Sequence, residues 1–351
     1  ATLAVQSSET RLGRVPVAAN LRHDQLDAHL SEAWLEDAAF VADAVPEPAA
    51  RFRAELASLF RLAKQPKAQR ELARGKPENF SRPDYYFRVP VARDEGPSGD
   101  EMVEITVRRR GAPLDLMVSE AMILANSTWG QWLSDLGVPG IYRSQASLAP
   151  GVKVRMGTKA VPHAGLGVKC YAWSTSPLRR YTDLVNQWQI IAAARHGRTA
   201  ALAAPFKPKD AELFSIISAF DAAYSAYNGH QAGMERFWTL RYIQQQDIRE
   251  LEATVFKEGL ARADTLPLVL PVLGAADLPR GTRVRLKLGE IDLITLDVAG
   301  TVLQRLDSVP EEAAASDEGD TGEETIAGPI AIAVDVTDTT EENPSMAPAG
   351  D

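Results

Sequence analysis

The chain has 351 residues, of which 45% are hydrophobic and 24% charged, a composition typical of a folded globular protein with room for two domains. Its formal charge of -9 is uneven: residues 308–351 hold twelve Asp or Glu and no Lys or Arg, which leaves 38 basic and 35 acidic residues elsewhere. The acidic average therefore does not exclude an anionic ligand. A single cysteine excludes a disulfide framework, and no apolar run approaches the roughly 20 residues of a membrane span.

Apolar periodicity and turn residues predict the order of secondary structure elements along the chain. The predicted elements are helices at 24–36 and 51–75, the latter interrupted at Pro66, a hairpin of strands at 84–91 and 102–110, a helix at 114–137, a strand at 165–173, and helices at 177–195, 211–227 and 233–250. The helix at 114–137 is apolar nearly all round, so we expect it at the centre of the fold.

The texture of the sequence changes near residue 251. Short β-rich runs separated by Gly and Pro predict a five-stranded barrel at 251–307, for which the OB-fold is the leading candidate. The acidic segment 308–351 has the composition of a largely disordered tail, although residues 330–336 could return as a last barrel strand. The predicted fold class is α+β, with 1–250 as a separate first domain.

The segment YAWSTSPLRRYTDLVNQWQ places Arg179 and Arg180 beside a helix start signal, because Ser176 can cap a helix and Pro177 suits its first position. A helix N-terminus carries partial positive charge, so two arginines there are unfavourable unless they bind an anion. The pattern indicates a phosphate site with Arg179 as the contact. It is also compatible with arginines that pair with Asp183, which could hold one guanidinium while the other meets the ligand.

Two further positions suggest a ligand contact, and each also has a purely structural interpretation. Glu120 interrupts the most hydrophobic helix and needs a partner, for which a structural ion pair with an arginine is favoured. Phe80 precedes a strand of aromatic residues with interleaved arginines, which can stack on bases and neutralise the phosphates of single-stranded nucleic acid. Such clusters are more often a strand with its packing partners. The five histidines show no ligand spacing, so no histidine metal site is predicted.

Four blocks of the sequence resemble the catalytic domain of the ribonuclease II and ribonuclease R family. GLGVKCYAWSTSPLRRYTDL resembles the family's TSPIRRY segment, LMVSEAMILAN followed by GIYRSQ its central helix, FSRPDYYFRV its aromatic segment, and NLRHDQLDAHL an earlier stretch. The blocks cover roughly residues 10–190 in the family's order. The resemblance implies that 1–250 is the C-terminal portion of an RNB-type catalytic domain and that 251–307 is an RNA-binding barrel.

The resemblance also implies an activity: a magnesium-dependent, processive exonuclease that degrades single-stranded RNA from its 3′ end and releases nucleoside 5′-monophosphates. It implies that Arg179 contacts the scissile phosphate and stabilises the transition state, that Phe80 stacks on the terminal bases, and that Glu120 contacts the 3′-terminal nucleotide. The residues predicted to contact RNA are Phe80, Glu120, Arg180, Ser176, Tyr142 and Arg143, beside the catalytic Arg179.

The sequence departs from the family at the metal site, because no aspartate cluster stands upstream of these blocks. Cleavage by this route needs magnesium, and magnesium needs carboxylates. We therefore expect a C-terminal portion of a longer enzyme, with no metal ligands of its own, that binds RNA better than it cuts it. The family often has two consecutive acids where this chain has Ser119 and Glu120. In this chain Glu120 alone would have to make the 3′-end contact.

Two alternative functions remain open at this point. The first is a catalytically inactive RNA-binding protein that keeps the RNA channel without the metal site. The second is an interaction protein with no nucleic-acid role, which a salt titration of RNA binding would separate because phosphate contacts are salt-dependent. The expected partner is single-stranded RNA and no membrane, the expected state is a monomer, and the single cysteine fits a cytoplasmic location.

Overall fold

A computed structural model describes residues 6–22, 26–37, 39, 45–78, 83–90, 96, 98–108, 111–149, 151–308 and 331–332. The α-helices are α1 (Glu32–Glu36), α2 (Glu47–Arg51), α3 (Arg53–Arg74), α4 (Pro113–Asp135), α5 (Tyr181–His196), α6 (Ala200–Ala203) and α7 (Ala211–Gln245). The strands are β1 (Asp84–Arg88), β2 (Glu104–Arg108), β3 (Tyr142–Ser144), β4 (Arg155–Gly157), β5 (Glu250–Lys257), β6 (Leu260–Ala263), β7 (Val269–Leu273), β8 (Thr282–Leu288), β9 (Gly300–Ser308) and β10 (Ala331–Ile332). No helix in these ranges is long and apolar enough to cross a bilayer.

Helix α3 is continuous through Pro66, so the predicted interruption is wrong. A proline removes one N–H from the helical ladder, and packing on both sides of it maintains the helix here. Phe60 and Ala63 are buried before the proline, and Arg70 is buried after it. Gly75 ends the helix with a φ of 73°, the left-handed conformation that glycine adopts without strain.

Helix α4 carries buried residues along its whole length, in agreement with the central position that its composition predicted. It buries a stripe of residues three or four positions apart, namely Met117, Glu120, Ile123, Asn126, Gly130 and Leu133. At Gly130 an added Cβ would stand 3.2 Å from the Cβ of Ala172, so the helix backbone approaches the segment 170–175 closely.

That segment does not form the strand predicted at 165–173; its pairing is limited to isolated bridges such as Tyr142 with Ala172. Side-chain amides bond its backbone instead. Asn126 of α4 accepts the Ser174 N–H at 2.9 Å, and Asn186 of α5 donates to the Trp173 carbonyl at 2.7 Å. Because the flanking helices satisfy the backbone groups of this segment, it does not need a neighbouring strand.

Helix α7 is a single helix of 35 residues, where the sequence predicted two. Near its start, Leu213 and Ile217 pack into the core around Trp173. Near its end, Leu240 and Ile243 belong to the core of the barrel. One element therefore contributes to both hydrophobic cores.

Strands β5 to β9 form the predicted barrel, which closes in the order β5-β6-β7-β9-β8. Neighbouring strands are antiparallel except β7 and β9, and this order is that of an OB-fold. Alternate residues of β8 point inward, with Val284 and Leu286 fully buried. The α+β class with an OB-like barrel is thus confirmed.

The tail contributes two described residues, Ala331 and Ile332, which pair in parallel with Arg155 and Met156 of β4. The sequence allowed residues 330–336 to return as a last barrel strand, but the two described residues of that range pair with β4, outside the barrel.

Candidate nucleic-acid interface

A turn at residues 176–180 presents the two arginines of the opening motif. The N–H groups of Arg179 and Arg180 both donate to the Ser176 carbonyl oxygen, each at 3.0 Å. Arg180 then adopts an extended backbone, with φ -126° and ψ 122°, so the turn does not continue into α5. The helix start predicted at Pro177 is therefore wrong. The charged side chain in the first turn of α5 is Asp183, which the helix dipole favours there.

Arg180 is held by a buried carboxylate. Its Nε donates to Asp183 Oδ2 at 2.8 Å and its Nη2 donates to Oδ1 at 2.9 Å, the two-point geometry typical of arginine with a carboxylate. The side chain of Asp183 is fully buried, and its Oδ1 also accepts the Ser176 N–H at 2.9 Å. This ion pair neutralises Arg180, which argues against the direct RNA contact predicted for that residue.

Arg179 lies at the surface of the described fold. Its Nη2 donates to Ser176 Oγ at 3.2 Å, so Ser176 orients the guanidinium in addition to closing the turn. The neighbouring Leu178 is fully exposed, which places the tip of the turn in solvent. Of the two arginines, Arg179 is the exposed one.

Trp173 connects the turn to the core. The guanidinium carbons of Arg143 and Arg180 each lie 3.9 Å from the centroid of its ring. They stack on opposite faces, because two such groups cannot both fit at that distance over one face. Phe220 and Tyr224 of α7 meet the same ring at 82° and 69° between planes, so the orientation of the indole is fixed.

Glu120 is 2% exposed and forms a two-point ion pair with Arg70, whose Nε lies 3.2 Å from Oε2. Arg70 also donates to the Leu166 carbonyl at 2.9 Å and to Glu78 Oε2 at 3.2 Å. Burial raises the pKa of the Glu120 carboxyl, while the hydrogen bonds and charge of Arg70 oppose that rise. This is the structural ion pair that residue chemistry favoured, and its geometry argues against the 3′-end contact.

Tyr142 and Arg143 of β3 point into the core. Tyr142 is 2% exposed and donates its hydroxyl hydrogen to the Gly130 carbonyl at 3.0 Å, and burial raises the pKa of this phenol. Arg143 is 1% exposed and stacks on Trp173 as described above. Because neither side chain reaches the surface, the predicted RNA contacts of these two residues have no support in the geometry.

Phe80 lies outside the described residues. In the strand that follows it, Tyr86 is half exposed, whereas Phe87 points to the opposite face of the hairpin. Ile105, which pairs with Phe87, packs against the barrel core. The hairpin that carries the aromatic strand therefore packs against the barrel.

The described residues contain no group of three or more His, Cys, Asp or Glu side chains that could hold a metal ion. A cavity of about 800 Å³ opens between α3, α4 and the C-terminal end of α5. Its described lining includes Arg70, Glu120, Trp129 and Trp132 and no residue of the turn at 176–180. Arg179 thus lies at an exposed surface in the described part of the chain, apart from this cavity.

The family model described as the RNB domain matches residues 1–155 and 144–196, which together exceed half of the chain. The chain belongs to the RNB domain family. This confirms the resemblance drawn from the TSPLRRY segment, which falls in the second matched range.

Two curated relatives of this RNB chain carry ribonuclease names. It is 27% identical over 227 residues to the uncharacterized ribonuclease sll1290 of Synechocystis, which covers 56% of this chain and 32% of the relative. It is 26% identical over 190 residues to the mitochondrial exoribonuclease II of Saccharomyces cerevisiae, which covers 45% of this chain and 19% of the relative. The chain therefore spans about a third or less of the length of these relatives.

Solved structures show the same fold. The Dss1 exoribonuclease of Candida glabrata has a TM-score of 0.56 at 18% identity, with coverage of 82% of this chain and 38% of that one. RNase R of Mycoplasma genitalium in complex with double-stranded RNA also has a TM-score of 0.56, at 16% identity, with coverage of 77% and 54%.

Sequence reasoning missed the residues that hold the site together. Trp173 stood in the quoted segment, but its contact with two arginines depends on β3, thirty residues earlier in the chain. A weaker signal was available in Asn126 and Asn186, because polar amides on the apolar faces of helices need specific partners.

Proposed function

We propose that this RNB chain binds single-stranded RNA through Arg179 and takes part in hydrolytic 3′-to-5′ exoribonuclease action that releases nucleoside 5′-monophosphates. The observation that carries the proposal is the division between the two arginines. Asp183 neutralises Arg180 in the interior, and the same carboxylate anchors the turn that holds Arg179 at the surface. Family membership and the ribonuclease names of the relatives support the same assignment.

The guanidinium of Arg179 suits a phosphodiester. It presents N–H donors in a planar fork that matches two phosphate oxygens. Donors held in place before the reaction stabilise charge that develops on those oxygens in the transition state. Ser176 provides this preorganisation, since it bonds both the backbone and the side chain of Arg179.

Magnesium enters this proposal through the family alone. The side chains of the described residues do not fit a magnesium site, which needs several carboxylate or other oxygen ligands around one point. The chemistry that we propose for this chain is therefore phosphate binding and orientation.

The test is RNA binding and cleavage by the 351-residue chain and its variant Arg179→Ala. Loss of a charged hydrogen-bonding partner should weaken binding of a labelled single-stranded RNA by about tenfold or more. The slope of log affinity against log salt should fall by about 0.7, the value for one phosphate on a single strand. Fluorescence anisotropy over a salt series measures both quantities.

Arg195→Ala is the matched control, because Arg195 is also exposed and lies near the far end of α5, about 21 Å along the helix from Tyr181. Its affinity should stay within about twofold of the parent. Equal RNA affinity of the parent and the Arg179→Ala chain would overturn the proposal.

An RNA-binding protein without cleavage is the second candidate, and it uses the same Arg179. Chromatography of the reaction with magnesium or with a chelator separates the two, because release of mononucleotides supports the nuclease and stable binding alone supports the binder.

We also propose a cytoplasmic location on the basis of the single, buried Cys170.

A further inference from the structure

Trp173 is fully buried, yet its indole N–H has no hydrogen-bond partner among the described residues. A buried tryptophan usually finds a partner for this group, and leaving it without one is costly. The faces of the ring are the part in use, because each carries a guanidinium at 3.9 Å. The polar groups that the Trp173 side chain contacts are therefore the two guanidinium groups on its faces, and not a hydrogen-bond acceptor.

Arg180 contacts the Trp173 ring, the carboxylate of Asp183 and the exposed turn at 176–180. Its guanidinium lies between the indole and the carboxylate of Asp183, and its side chain is only 11% exposed. Its backbone N–H closes the turn on the Ser176 carbonyl, next to the N–H of Arg179. A shift of the Arg180 side chain would consequently move the backbone that carries Arg179.

A second buried guanidinium covers the other face of the Trp173 ring. Arg143 stacks there from β3 and is 1% exposed, so the ring cannot move away from Arg180 without displacing a second buried guanidinium. The Trp173 carbonyl is also fixed, since it accepts from Asn186 Nδ2 at 2.7 Å. Ring and backbone of Trp173 are both held in place.

We propose that Trp173 is a positioning residue for the phosphate site. By stacking on Arg180 it keeps that guanidinium on Asp183, and it thereby fixes the turn that aims Arg179 at the ligand. This inference rests on the proposed function, because it requires that Arg179 bind RNA. It assigns to Trp173 an effect on RNA affinity that simple core packing would not produce.

The test is a double-mutant cycle in the 351-residue chain with Trp173→Leu and Arg179→Ala, measured by anisotropy with single-stranded RNA. Trp173→Leu removes the stacking faces, and we expect a loss of affinity of roughly five- to tenfold with a salt slope lowered toward that of Arg179→Ala. In the Arg179→Ala background the same substitution should change affinity by less than about twofold, because its effect passes through Arg179.

Two further variants separate positioning from packing. Trp173→Phe keeps an aromatic face and should restore most of the affinity lost in Trp173→Leu. Phe60→Leu reduces the packing of a separate core around α3, which does not contain Trp173, so it should lower stability without changing RNA affinity. Circular dichroism at the assay temperature establishes that each chain is folded. Trp173→Met, which also lacks an aromatic face but has a flexible side chain that fills irregular gaps in a core, carries the test where Trp173→Leu does not fold.

The outcomes distinguish the two proposals. If Arg179→Ala binds RNA like the parent, the proposed function fails whatever Trp173 does. If Arg179→Ala weakens binding but the Trp173 variants do not, or if Trp173→Leu weakens binding equally in both backgrounds, the positioning role is refuted while the RNA site stands.

Discussion

At the scale of single residues, the structure separates charged groups that stabilise the fold from those that can meet a ligand. Asp183 and Glu120 are both buried, and each is satisfied by an arginine in two-point geometry. Removing one partner of such a pair typically costs about 3–5 kcal/mol, because the other charge stays buried. Residue chemistry alone predicted that Glu120 needs an arginine. It could not tell which arginine, because Arg70 lies fifty positions away in the sequence.

His163 allows a pH prediction at the same scale. It is 3% exposed, its Nδ1 accepts the Leu166 N–H at 3.2 Å, and burial together with the charge of Arg143 lowers its pKa to about 3. The unfolded chain binds a proton on this histidine near pH 6.5, whereas the folded chain does not. The stability that neutral His163 contributes is therefore present above about pH 6.5 and is lost as the pH falls toward about 3.

Between about pH 7 and about pH 5 this histidine should lower the free energy of unfolding by about 2 kcal/mol. Urea unfolding of the parent and of His163→Gln at both pH values measures the difference, since the carboxylates titrate alike in both chains. An identical pH dependence in His163→Gln and the parent would show that His163 is not buried neutral.

At the scale of elements, local patterns predicted which segments are helical better than where the helices end. The long α4, the hairpin and the barrel agree with the sequence patterns, because each depends on periodicity that packing reinforces. The predicted start of α5 is wrong because Ser176 bonds to Asp183, which no propensity describes. The predicted strand at 165–173 is wrong because the amides of Asn126 and Asn186 replace a partner strand.

Helix α7 gives the element-scale prediction. Two helices were predicted here, at 211–227 and 233–250. Gly229, which falls between them, and Gly233, which begins the second, both lie inside one helix, and an added Cβ at either meets no atom within 4 Å. Alanine should therefore stabilise each position by about 0.5–1 kcal/mol, since glycine loses more backbone entropy on folding.

Thermal or urea unfolding of Gly229→Ala and Gly233→Ala measures this gain. Gly197→Ala is the contrasting variant, because its φ of 52° at the end of α5 is strained for alanine, and it should destabilise the chain. A loss of stability in both α7 variants would indicate that the helix is broken there after all.

At the scale of the whole molecule, α7 joins two cores that the sequence separated at about residue 251. The helix is about 52 Å long, its first turns pack with Trp173, and its last turns belong to the barrel core. Arg236 adds hydrogen bonds from its Nε to the Leu296 carbonyl at 2.6 Å and from its Nη1 to the Val269 carbonyl at 2.7 Å. The domain boundary predicted from composition, at residue 251, falls after α7. Helical periodicity shows which face of α7 is buried, but it does not show in which core each buried residue lies.

This arrangement predicts cooperative unfolding. Because one uninterrupted helix supplies residues to both cores, the first domain and the barrel should unfold in a single calorimetric transition. Gly229→Pro places a residue without an N–H in the middle of α7 and should cost about 3 kcal/mol or more. It should also split the transition in two, since a continuous helix would no longer join the two cores. The matched Gly229→Ala chain should retain the single transition, and two transitions already present in the parent would contradict the coupling.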